Sequence, residues 1–439
     1  MPQKAPTLHD LLAQMGLEAL LEMMRTASDA PTTEYLHWDK LRRKTPPEGL
    51  THETWWLCQK LRRVGQARSL PMRDKTGEPF RFVLTDSIAA AVHLLDQRAG
   101  GLMAIPGQIT NSSTRDRYAI GSLIEEAITS SQLEGAATTR LIAKGMIRSG
   151  REPRDRNERM ILNNYRTMQR IRELKDQPLT PDLVCDIHRL ITRDALDNPN
   201  AAGRLRYADE RVVVDDAYGE VFHDPPPADD LPERLELMCA FANEDTPDYF
   251  IHPALRAIML HFWLAYDHPF VDGNGRTARA VFYWAMVRRG FWLFEYISIS
   301  RILVRAPARY ARAFLYTETD ENDLTYFILH QLDVIEEAVR QLHEYIARKT
   351  RELKTLEMQL RGMSVLNHRQ QALISHALRH PQQRYTVESH RSSHNVVYET
   401  ARADLMSLTD RGLLEKRKVG RTWHFTPAPN LEGKLRDVE

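Results

Sequence analysis

Residues 268–279 read HPFVDGNGRTAR, and this stretch decides how the surrounding chain folds. The preceding residues, IMLHFWLAYD, form a buried apolar helix pattern, and Pro269, Gly273 and Gly275 forbid its straight continuation. The residues that follow, RTARAVFYWAMVRR, resume helical periodicity, so the order is helix, glycine loop, helix. A glycine loop that feeds a helix N-terminus aims free backbone N–H groups and a partial positive charge at one point, which suits a phosphate. Arg276 and Arg279, three apart on the first turn, can hold successive phosphates. Asp272 is a hard oxygen ligand for Mg²⁺ shared with substrate phosphates, and His268 is placed to take a proton from an attacking hydroxyl. Phe270 reads as a packing anchor. Each group alone is commonplace; acid, base and anion-binding groups within twelve residues point to chemistry.

The helical pattern extends outward from this motif. Between residues 150 and 350 it is interrupted once, at RVVVDDAYGEVFH (211–223), where two β-prone runs flank a turn and three prolines follow. A β-hairpin on a helical body is expected there. Upstream, DRYAIGSLIEEAITSSQL (116–133) predicts a long amphipathic helix that stops at Gly135. Residues 1–110 predict short helices broken by proline-rich connectors, and 334–362 a charged helix suited to a spacer or a dimer contact.

Composition sets the frame. A chain of 439 residues is expected to hold two or three domains, and 42% apolar with 27% charged residues is ordinary for folded protein. The net charge of +1 gives no global argument for nucleic acid or membrane. Three scattered cysteines, Cys58, Cys185 and Cys239, argue against a disulfide framework or a zinc site. The absence of a leader-like apolar segment and of any 18-residue apolar run points to a cytoplasmic protein with no membrane partner. The exception to neutrality is 365–425, with ten Lys/Arg against five Asp/Glu, a local charge of +5.

HPFVDGNGRTAR resembles the Fic-domain signature HxFx(D/E)GNGRxxR at every specified position. The GRLR at 203–206 and the hairpin with its prolines strengthen the similarity, which covers about half of the chain. The resemblance implies a mainly α protein with an all-helical Fic core and a hairpin flap, and transfer of AMP from Mg²⁺-ATP to a hydroxyl of a target protein or of the chain itself. It implies His268 as general base, Asp272 as Mg²⁺ ligand, and Gly273, Asn274 and Gly275 as an anion hole. Arg276 and Arg279 would bind phosphate, and Val212, Val213 and Val214 would form a target-pairing flap. TSSQLEG (129–135) is similar to the inhibitory (S/T)xxxE(G/N) motif of Fic proteins whose inhibitory helix precedes the core, which implies that Ser130 and Glu134 restrain the site through Arg279. The same carboxylate could position water for removal of AMP from a modified target.

The basic segment resembles a winged helix-turn-helix, with Lys416, Arg417, Lys418 and Arg421 on the wing and Ser392, Ser393, His394 and Asn395 opening the recognition helix. Such a module binds double-stranded DNA or makes protein contacts, homodimerisation among them. The expected layout is an N-terminal helical domain (1–110), a Fic core (111–345) with its inhibitory helix at about 117–135, a linker helix (346–364) and a winged-helix domain (365–430). The competing expectation is a nucleotide-sensing DNA-binding regulator in which catalysis is secondary. Tyr310 is a further candidate, near the adenine.

Overall fold

The computed structural model describes residues 1–13, 34–100, 112–215, 219–363, 365–419 and 422–436. The described chain is mainly α, with three small antiparallel hairpins. Contacts divide it into two compact units, Met1–Gly101 with Ser122–Val339, and Leu102–Gly121 with Arg340–Glu439.

In the first unit two short helices, Leu8–Ala13 and Trp38–Leu41, precede helix α1 (His52–Val64), which leads into a hairpin of β1 (Ala67–Arg73) and β2 (Pro79–Val83), followed by α2 (Asp86–Leu95). The hairpin corrects the expectation of helices alone in this region. Its turn is set by Asp74, whose carboxylate accepts from the N–H groups of Thr76 and Glu78, and its alternating Leu70, Met72, Phe80 and Phe82 are buried. Nor do the first hundred residues stand apart from the core. Arg81 N–H donates to Asn322 O at 3.0 Å, Leu324 N–H donates to Arg81 O at 2.8 Å, and buried Lys60 pairs with buried Asp320 at 2.7 Å.

Next come α3 (Ser112–Leu133), α4 (Arg140–Ser149), α5 (Arg156–Leu174) and α6 (Pro181–Thr192). The second hairpin, β3 (Val214–Asp215) with β4 (Val221–His223), is shorter than expected. Val214 pairs with His223, whereas Val212 and Val213 precede the strand. Continuing that register would set Val212 against Pro225, which has no N–H to donate. The turn at 216–218 lies outside the described residues.

Two helices, α8 (Pro253–Asp267) and α9 (Asn274–Arg288), follow α7 (Leu231–Ala242) and form the centre of the unit. Both are buried nearly all round, so their outward faces carry Phe262, Trp263, Phe282, Tyr283 and Trp284 rather than charge. Helix α10 (Pro307–Glu318) and the 38-residue α11 (Thr325–Gly362) complete the order; the expected linker at 346–364 is the distal part of α11 up to Gly362.

In the second unit, α12 (His368–Arg379), α13 (Val387–His394) and α14 (Tyr398–Asp410) lead into β5 (Leu414–Val419) and β6 (Thr422–Pro427). Leu373, Ile374, Leu405, Leu408, Leu413 and Phe425 share one core, and buried Asp404 accepts from Asn367 and Arg369 and lies 3.3 Å from His390 Nε2. Ser392, Ser393 and His394 close α13 rather than open α14. The Thr386 capping box starts α13 at Val387, and Asn395, at φ 50°, ends it in the left-handed region; Tyr398 opens the next helix. Lys416, Arg417 and Lys418 are exposed on β5, and Arg421 lies outside the described residues.

Candidate active site

The loop 268–273 is held by its own sequence. His268 caps α8 in the left-handed region (φ 46°), and the buried Asn274 side chain closes the loop, accepting from Phe270 N–H at 2.9 Å and donating to Phe270 O at 2.7 Å. Asn274 therefore serves as a clamp, and what it can offer an anion is its backbone N–H. Gly273, at φ 86°, begins α9 with no side-chain cap, so the helix presents a bare N-terminus.

His268 is half-buried. Its Nδ1 lies 3.1 Å from the Ala265 carbonyl, which can only accept, so Nδ1 carries the proton and Nε2 keeps its lone pair. Burial pushes its pKa down to about 4, against the pull of the Ala265 hydrogen bond. The imidazole is neutral at neutral pH and ready to accept a proton. Its backbone is fixed by the buried Arg206, which donates from Nε to His268 O at 3.0 Å and from its N–H to Pro269 O at 2.9 Å.

Arg276 is buried, and its Nε has no partner among the described residues; its Nη2 reaches Asp272 Oδ1 only at 3.5 Å. Its Nη1 reaches Ile191 O at 3.5 Å, and a buried guanidinium with an unmet Nε–H and two long bonds fits a phosphate that would complete it. Burial depresses its pKa, partly opposed by the negative charges of Glu134 and Asp272. Asp272 is 38% exposed at its side chain and supplies the hard oxygen that Mg²⁺ prefers.

Arg279 is fully committed. It donates from Nε to Ser130 Oγ at 2.8 Å, and from Nη2 to Ser130 O at 3.0 Å and Glu134 Oε1 at 2.8 Å. Burial works against its charge, but the Glu134 carboxylate outweighs it and raises the pKa. The same carboxylate lies on the backbone of Gly275, where an added methyl would stand 2.2 Å from Oε1. Glu134 thus occupies the N-terminal turn of α9, the place where that turn would hold an anion.

Helix α3 is fastened so that Glu134 reaches this point. Buried Glu126 accepts from Tyr283 OH at 2.9 Å, Ser298 Oγ at 2.7 Å, Ser300 N–H at 3.1 Å and Ser300 Oγ. Glu126→Ala strands these donors and is expected to cost about 2–4 kcal/mol, read as a lower midpoint in denaturant with an unchanged slope.

His188, on α6, escaped the sequence reading. It accepts from Gly203 N–H at Nδ1 (2.9 Å), so Nε2–H donates to Asp272 O at 2.8 Å, and its ring stacks on Phe270 at 3.7 Å. It ties the GRLR segment, α6 and the glycine loop together. Its only sequence signal is a polar ring within the apolar run of DIHRLI. On β4, His223 lies between two acceptors, Glu318 Oε2 at 2.8 Å and Tyr266 O at 2.7 Å. Tyr310 lies on α10 with its hydroxyl 2.7 Å from buried His261 Nε2.

His188 and His268 both have pKa values of about 4 in the fold, against an ordinary value near 6.5. Their neutral forms contribute stability that is fully present above about pH 6.5 and lost as pH falls through about 4. Denaturation midpoints are expected to fall across that window, and less so in a His188→Gln variant.

Residues 178–286 match the Fic/DOC family, a span that includes GRLR, the hairpin and the whole glycine-loop motif, so this chain carries a Fic domain. Ser130 and Glu134 lie outside that span. Among curated relatives, the chain is 35% identical over 117 residues to a protein adenylyltransferase Fic of Nematostella vectensis, covering 27% of this chain and 25% of that protein. It is 27% identical over 184 residues to protein adenylyltransferase fic-1 of Caenorhabditis elegans, covering 40% and 33%. The chain thus spans a quarter to a third of the length of these relatives. A crystal structure of a Fic family protein from Desulfovibrio desulfuricans shares the fold at TM-score 0.53 and 18% identity, over 79% of this chain and 98% of that one. A Fic-1 variant from C. elegans does so at TM-score 0.50 and 17% identity, over 79% and 90%. The mainly α fold is that of Fic proteins. Among the described residues, no helix is long and apolar enough to cross a membrane.

Proposed function

We propose that the chain is an autoinhibited protein adenylyltransferase that moves AMP from ATP to a hydroxyl side chain of a protein target. The observation that carries this is the Glu134 carboxylate on Arg279 and Gly275 at the N-terminus of α9, with the neutral imidazole of His268 close enough to feel the Glu134 charge. In the active state, the N–H groups of the first turn of α9 and the Arg276 guanidinium, whose Nε–H is unmet, bind the phosphates. His268 Nε2 takes the proton of the target hydroxyl, whose oxygen bonds to the α-phosphorus as the bond to the β-phosphate bridging oxygen breaks and pyrophosphate leaves. Mg²⁺, held by Asp272 and the phosphates, supplies compensating positive charge when bound. The flap hairpin, from Val214 onward, offers a strand edge on which the target's backbone can be aligned.

Autoinhibition follows from charge. A carboxylate at an anion site, paired with the arginine that a terminal phosphate needs, leaves nucleotide with only nonproductive poses. The relatives named as adenylyltransferases support the choice of AMP as the group transferred. The test is label position: with ATP and Mg²⁺, label from the α-phosphate is expected on protein and label from the γ-phosphate is not. The reverse pattern means phosphorylation and defeats the proposal.

A second activity rests on the second unit. Lys416, Arg417 and Lys418 are exposed on a β-hairpin beside a three-helix core, and Val397 and Tyr398 are exposed at the start of α14. These features support reading the unit as a winged helix whose basic hairpin lies along phosphates and whose helix enters a groove. Binding to duplex DNA is expected to weaken steeply with salt; absence of binding in low salt leaves the module as a protein-contact or dimer element.

A further inference from the structure

Arg156 is the first residue of α5, where a positive charge opposes the helix dipole. Its place is therefore unexplained by the helix itself. Its guanidinium spans two carboxylates, donating from Nη1 to Asp197 Oδ1 at 2.9 Å and from Nη2 to Asp272 Oδ2 at 3.3 Å. The other oxygen of Asp272, Oδ1, accepts from Gly273 N–H and faces Arg276 Nη2, so Oδ2 is the oxygen left for a metal. Arg156 holds it.

We propose that Arg156 is a displaceable counter-ion of Asp272, a positioning residue that keeps the carboxylate neutralised and oriented until a divalent cation arrives with nucleotide. The proposal rests on the adenylyltransferase assignment of this site. Three features make the contact reversible. Arg156 is 48% exposed at its side chain, so its guanidinium returns to water cheaply. The bond to Asp272 is longer than the one to Asp197, and Asp197, 90% exposed, can retain the guanidinium after it leaves Asp272. Arg276, by contrast, is buried on the opposite oxygen and cannot leave. Metal and Arg156 therefore compete for one oxygen, and occupancy by Arg156 lowers the benefit that a metal gives to nucleotide binding. The device acts separately from Glu134, which blocks the phosphate side of the site.

The test measures binding of ADP to the full chain by calorimetry, with and without Mn²⁺, and reads the ratio of the two dissociation constants. In Arg156→Ala this ratio is expected to rise about two- to fivefold over wild type, the range set by the strength of half-exposed ion pairs. Arg156→Lys keeps the charge and is expected to stay near wild type, while Asp272→Asn removes the metal effect with or without Arg156. A ratio unchanged or lowered in Arg156→Ala, with ADP still bound, overturns the counter-ion role and leaves the nucleotide site standing. If ADP binds no variant in either condition, the nucleotide assignment itself fails, and this role with it.

Discussion

Replacing His268 with alanine in a derepressed background is expected to lower AMP transfer by about 10²–10⁴-fold, the usual contribution of a positioned general base. The structure explains why nothing nearby can substitute. His188 is a second neutral imidazole, but both its nitrogens are engaged, by Gly203 N–H and by Asp272 O. His223 is tied to Glu318 and Tyr266. His268 alone of the three has a ring nitrogen without a protein partner among the described residues. ATP affinity should change little, because the proposed phosphate donors belong to α9. A loss of transfer with retained ATP binding supports the assignment, and retained transfer removes it.

The second large effect is gain of activity on replacing Glu134 with glycine. The substitution frees Arg279 Nη2 and clears the backbone of Gly275, so the phosphates meet a vacant helix N-terminus. An increase of about 5- to 150-fold is expected, the ordinary range of coupling between an internal inhibitor and a site. Arg279 remains buried and keeps Ser130 Oγ and O as partners, so the fold should survive with some loss of stability. ATP then becomes the missing counter-charge, and the thermal shift it causes should be larger in the variant than in wild type. An equal shift in both proteins would mean that Glu134 and the nucleotide do not share a subsite.

Much of this site was legible because its groups are close in sequence. Pro269 and Gly273 between two apolar helices announce the loop, which ends before Gly275, already inside α9, and it brings His268, Asp272, Arg276 and Arg279 to one place whatever surrounds it. Glu134 is 145 residues from Arg279, and its motif raised the expectation of a contact that the structure shows at 2.8 Å. What sequence could not show are contacts made by ordinary residues across long separations. His188 stacks on Phe270 and holds Asp272, and Arg156 holds its other face, yet a lone histidine and a helix-terminal arginine have no pattern of their own. The β1–β2 hairpin was missed because Pro71 and the charged turn around Asp74 mask a four-residue alternation of Leu70, Met72, Phe80 and Phe82. The start of α14 was misplaced because Ser392 and Ser393 look like caps, whereas the actual signal is Asn395 in the left-handed region.

The most direct measurement is transfer of label from the α-phosphate of ATP to protein, in Mg²⁺, for wild type, Glu134→Gly, and Glu134→Gly with His268→Ala. Faint label in the first, strong label in the second and none in the third is the predicted result, with self-modification serving as acceptor where no target is added. Absence of label in Glu134→Gly while ATP remains bound, or label that persists without His268, contradicts an autoinhibited adenylyltransferase.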